Sequence, residues 1–68
     1  MFKEYDVVKA KIELSAFVRA GTRGAVLICY DGAPKEYEVE FVDESGETLD
    51  VLTVAEHNLE FVFRPEEP

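Results

Sequence analysis

The sequence predicts an all-β domain, a small five-stranded SH3-like barrel with a long first loop and a 3₁₀ turn before the last strand. Three observations carry this reading. β-Branched and aromatic residues gather in five short runs; Gly, Asp, Pro and Ser separate the runs; and one run alternates apolar and acidic residues without a break. At 68 residues the chain has room for one domain, read as residues 1–64 with a frayed tail at 65–68.

Residues 5–12 form the first predicted strand and residues 25–30 (AVLICY) the second. Residues 36–42 are the third and the clearest. Tyr37, Val39 and Phe41 fall on one face and Glu36, Glu38 and Glu40 on the other, as in a sheet covered on one side only. Residues 47–54 and 59–64 complete the set, with Phe61 and Phe63 sharing a face. The stretches 31–35 (DGAPK) and 43–46 (DESG) are hairpin-length and rich in turn formers. The longer stretch 13–24 ends in Gly21-Thr22-Arg23-Gly24, whose two glycines allow a tight turn ahead of the second strand. Residues 55–58 (AEHN) are too few for an α-helix and suit one 3₁₀ turn. An OB-fold, the main rival, usually needs more residues and a helix between its third and fourth strands.

These residues resemble a known family. Phe2, Tyr5, Asp6, Val7 and Val8, then Gly21-x-x-Gly24-x-Val26, then Tyr37-Glu38-Val39-Glu40-Phe41-Val42-Asp43 with Gly46 and Thr53, are similar to the bacterial domain-of-unknown-function family numbered 4926. The likeness spans roughly residues 2 to 63. It implies a small bacterial protein with an SH3-like barrel and no assigned activity. One departure stands out: the position of Ile28 is often polar in such proteins, whereas here Val26, Leu27, Ile28 and Cys29 run together. Such a strand either contains a bulge that turns its apolar residues inward or presents a sticky outer face to a second copy. The Gly-x-x-Gly-x-Val pattern also resembles the KOW motif of ribosomal and transcription-factor barrels, over about ten residues.

Charge is the most informative functional clue. Residues 1–30 carry five basic and three acidic groups, residues 31–60 one basic and ten acidic, and the net charge is −8. For a phosphate-binding surface the sign is wrong, because affinity for nucleic acid comes largely from Lys and Arg. Catalytic groups are not evident either. His57 is the only imidazole and falls in the predicted surface turn, Ser15 and Ser45 lie in loops without a nucleophile motif, and the glutamates of a strand face point to solvent rather than into a pocket that would shift a pKa. Residues 43–47 lack the alternating Asp/Asn of a calcium loop. One Cys and one His supply neither a disulfide nor the thiolate and imidazole ligands of a structural zinc site. The expectation is therefore a non-enzyme with no cofactor and no metal. No signal peptide or membrane-spanning run is visible, and a lone Cys29 suits a reducing compartment, so a cytoplasmic protein is expected.

What remains is an acidic protein-interaction module, a neutralising, antitoxin- or immunity-like partner of a basic protein. Its expected face comprises Glu36, Glu38, Glu40, Asp43, Glu44 and Asp50. Leu27, Ile28 and Cys29 are the expected self-association residues of a homodimer. Two alternatives stay open. One is a KOW-like nucleic-acid-binding barrel acting through the first loop with Lys9, Lys11, Arg19 and Arg23. The other is an accessory domain of a larger enzyme complex, on fold analogy alone.

Overall fold

The computed structural model describes residues 1–65. Five strands, β1 (Val7–Ala10), β2 (Arg23–Tyr30), β3 (Glu36–Val42), β4 (Thr48–Ala55) and β5 (Leu59–Phe63), with a 3₁₀ turn over Glu56–Asn58 between the last two, form one antiparallel sheet. Its order is β4-β3-β2-β1-β5, a four-strand meander whose fifth strand returns beside the first, in keeping with the expected all-β, SH3-like arrangement. The sheet stays open: β4 and β5 are its two edges and are not hydrogen-bonded to each other. Leu27, Leu49 and Val62 are each skipped by the pairing register, so three bulges coil the sheet onto itself.

Alternation decides the inside. Tyr37, Val39 and Phe41 of β3 are buried together with Val8, Ala10, Val26, Val54 and Leu59 from the other strands, while Phe2, Leu14 and Leu52 pack against this core. Val18 closes one end of it from the long loop. That loop is held in shape by Ser15, whose Oγ accepts the N–H groups of Phe17 at 3.2 Å and Val18 at 3.1 Å.

The first strand is shorter than the eight residues its composition suggests. Tyr5 has a φ of 68°, outside the β region, and its N–H instead donates to the Val26 carbonyl at 2.6 Å. The second strand starts earlier than expected, at Arg23, because Gly24 is part of the ladder rather than of the turn. The two glycines thus do different jobs. Gly21, with φ of 90°, makes the turn, whereas Gly24 lies buried opposite Val8 and Phe41, where a Cβ would sit 2.7 Å from the Glu40 carbonyl oxygen. Arg64 lies just beyond β5 instead of inside it. Of the tail expected to fray, Pro65 carries no secondary structure and residues 66–68 lie outside the described residues.

Candidate functional site

The register places the acids. On the outer face of β3, Glu36 lies opposite Tyr30 and Ala55, Glu38 opposite Ile28 and Thr53, and Glu40 opposite Ala25 and Val51. None of these six cross-strand neighbours is basic. Three ion pairs occur among the described residues, Met1 amine to Glu56, Lys9 to Glu60 and Arg64 to Asp6, and none of them uses the three β3 glutamates. The carboxylates instead accept hydroxyls: Thr53 Oγ1 donates to Glu38 Oε1 at 2.7 Å, Tyr30 reaches the same oxygen at 3.4 Å, and Thr48 donates to Glu40. The two threonines draw Glu38 and Glu40 toward β4, while Tyr30 holds Glu38 from the β2 side, and none of these hydroxyls neutralises the carboxylates.

The remaining acids divide. Asp43 and Glu44 lie in the turn that follows β3. The Asp43 carboxylate caps that turn by accepting Ser45 Oγ at 2.8 Å, Ser45 N–H at 2.9 Å and Glu47 N–H at 3.0 Å. The Ser45 hydroxyl, followed by these backbone donors, holds its pKa below the ordinary carboxylate value. Asp50 does not join the β3 glutamates. It pairs with Phe41, so strand alternation sends it to the opposite face, where it accepts Ser15 Oγ at 3.3 Å and the Val51 N–H at 3.0 Å.

The apolar second strand contains the anticipated bulge, and it also exposes a residue. Leu27 and Ile28 together oppose Glu38, which leaves Ile28 46% exposed beside that carboxylate. Cys29 pairs with Tyr37 and aims its thiol at the Phe2 carbonyl, 3.6 Å away. Leu27, Ile28 and Cys29 therefore line a shallow groove with Phe2, Lys3 and Glu4 rather than forming one flat patch. Loss of water around the sulfur raises the Cys29 pKa, and the charges of Glu4 and Asp6 push the same way. That is the opposite of what a reactive thiol needs.

The basic groups are scattered and partly answered. Lys9 and Arg23 are cross-strand neighbours, but Lys9 lies 3.8 Å from Glu60, and Arg23 lines a groove shared with Asp43 and Glu44. Lys11 and Arg19 are exposed on the long loop. His57 is exposed in the 3₁₀ turn. No group of three or more potential metal ligands occurs among the described residues, and no helix there is long and apolar enough to cross a membrane.

Two polar centres escape sequence reasoning. Asp6 is fully buried and is gripped by Arg64 through two bonds, Nε to Oδ1 at 2.7 Å and Nη2 to Oδ2 at 2.9 Å, with the Lys3 N–H on Oδ2 at 2.8 Å. The guanidinium holds the Asp6 carboxyl below its usual pKa, and the backbone donor adds to the effect. The second centre is the Tyr37 hydroxyl, which donates to Glu56 at 2.6 Å and accepts the Phe2 N–H at 3.1 Å, while the two rings meet edge to face at 5.2 Å. It pins the N-terminal segment to the core strand. Tyr37→Phe is expected to cost about 1 kcal/mol in chemical denaturation and to accelerate amide exchange at Phe2. Unchanged exchange there would show that the ring alone holds the segment.

No curated protein and no solved structure significantly matches the chain. A family model does match: that of the domain of unknown function DUF4926, over residues 4–61. The matched span runs from just ahead of buried Asp6 through the glutamate-bearing strand to Phe61 of β5, and the chain belongs to this family.

Proposed function

We propose that the protein is an interaction module that engages a basic partner protein through the outer face of β3, in a neutralising, antitoxin- or immunity-like role. One observation carries the reading: Glu36, Glu38 and Glu40 share a face on which every cross-strand neighbour is apolar or uncharged. Acids that serve solubility alone gain from interspersed cations. A row of uncompensated carboxylates set among exposed Ile28, Tyr30 and Val51 combines a field that steers a cation with apolar area that holds it. The turn acids Asp43 and Glu44 extend the field at one end of the strand. A cytoplasmic setting suits the free thiol of Cys29.

Nucleic-acid contact through Lys9, Lys11, Arg19 and Arg23 is the weaker reading, since Glu60, Asp43 and Glu44 stand beside two of the four. A homodimer through Ile28 would bring two glutamate rows together, each on a chain of net charge −8.

The test compares the wild-type chain with a Glu36→Gln, Glu38→Gln, Glu40→Gln variant against the basic partner recovered from the native host. Association is expected to slow roughly tenfold in the variant, and the wild-type rate to fall steeply with added salt. Equal rates for both proteins at low salt would remove the glutamates from the function.

A further inference from the structure

The glutamate face ends at a strand edge whose backbone is open. The Glu56 N–H donates to the Lys35 carbonyl at 2.9 Å, and bonded pairs alternate along an antiparallel ladder. Tyr37 with Val54, Val39 with Leu52 and Phe41 with Asp50 are therefore the bonded pairs. Val51, Thr53 and Ala55 turn their N–H and C=O groups the other way, off the sheet. The Val51 N–H bears this out, since it is taken by the Asp50 side chain at 3.0 Å. The devices that usually blunt an edge sit at the start of β4, where Leu49 is bulged and the inward-turned Asp50 caps the Val51 N–H; the stretch from Leu52 to Ala55 has no bulge, charge, proline or glycine. Val51 and Thr53 are exposed.

We propose that β4 accepts an extended segment of the partner protein as a sixth strand, a segment carrying Lys or Arg at alternate positions with apolar residues between them. This rests on the reading that the partner is basic, and adds how it docks. A residue paired with Thr53 or Val51 places its side chain on the outer face, the face of Glu38 and Glu40. Those carboxylates lie one strand further in, about 10 Å from the added strand, but lean toward it through the hydroxyls of Thr53 and Thr48. A long cationic side chain lying over Thr53 closes the gap. The intervening positions of the segment fall on the side of Leu52 and Val54, where apolar residues extend the core. Main-chain bonds would supply affinity and the alternate charges specificity, the division of labour of strand addition.

The probe is a capped nine-residue peptide alternating lysine and valine, titrated into the isotope-labelled full chain. Amide shifts are expected to be largest at Val51, Thr53 and Ala55. N-methylation of the peptide along one edge, and Thr53→Pro, should each weaken binding at least tenfold; the proline spares every bond to β3 but also removes the hydroxyl that holds Glu38, a loss that Thr53→Val measures by itself. Glu38→Gln with Glu40→Gln should weaken it severalfold, and a glutamate–valine peptide should not bind. Binding that ignores N-methylation and shifts only residues 28, 36, 38 and 40 overturns strand addition while leaving the acidic-face reading intact. No binding of the lysine–valine peptide at millimolar concentration also overturns it, and the association-rate experiment then decides the broader reading separately. If Thr53→Pro does not fold, the N-methylated peptide alone decides.

Discussion

Replacing Arg64 with methionine is expected to unfold most of the protein at neutral pH, although Arg64 stands outside every strand and its side chain is nearly half exposed. The substitution strips a fully buried carboxylate of the two guanidinium bonds that compensate it, leaving only the Lys3 N–H. Breaking a buried pair in this way costs about 3–5 kcal/mol. A core of this size typically contributes no more than about 3–5 kcal/mol, so the loss is comparable to the whole. The reverse change, Asp6→Asn, should be milder, because it leaves a cation that water and the Phe61 ring, 5.5 Å from the guanidinium carbon, already accommodate. Urea denaturation of both variants checks the asymmetry. Equal losses would mean that packing of the Arg64 stem, rather than its charge, closes the fold.

The same pair contributes to the acid limb of stability, together with Asp43 and Glu56, whose carboxyl groups folding also holds below their ordinary pKa. The Asp6 pKa is lowered by folding, first by the Arg64 hydrogen bonds. Its contribution is therefore complete above the unfolded carboxylate value of about 3.9, and is lost as pH falls below that value through the folded pKa. Wild-type stability should decline below about pH 4, and Asp6→Asn should remove part of that decline.

Gly24 is the second position where a small change has a large effect. A Cβ there meets the Glu40 carbonyl oxygen at 2.7 Å, Val39 Cγ1 at 2.8 Å and Phe41 Cδ1 at 3.0 Å, and one of these is backbone that cannot swing aside. Gly24→Ala is expected to cost about 1–3 kcal/mol by overpacking, and Gly24→Val to prevent folding. Gly21 is the contrasting case. Nothing lies within 4 Å of its would-be Cβ, but its φ of 90° disfavours a side chain. Gly21→Asn should be tolerated better than Gly21→Ala, because Asn adopts left-handed conformations more readily. Thermal melts of the four variants separate crowding at Gly24 from backbone strain at Gly21. An Ala at position 24 that melts with the wild type would show β2 and β3 to be further apart.

The third strand was legible to the residue, over Glu36–Val42, because strict alternation has one solution for a sheet with a single buried face. The first strand was legible in kind but not in extent, since Tyr5 is a good strand former that instead sits at φ 68°, its N–H bonded to the distant Val26 carbonyl. The candidate face was partly legible. Glu36, Glu38 and Glu40 follow from period two alone, whereas Asp50 looked equivalent until its pairing with Phe41 turned it away. The double apolar run of β2 announced an irregularity; only the register showed that Leu27 is the extra residue and that Ile28 stays outside.

The sequence alone determined that twelve of the fifteen acids lie beyond residue 30 and that three of them share a strand face, because charge and alternation are local properties. The tertiary structure alone decided that no cation answers those three, that Asp6 is closed by Arg64 from 58 residues away, and that β4 is an edge. Each of these depends on which strands become neighbours, and strand pairing joins residues whose distance along the chain carries no trace of the contact.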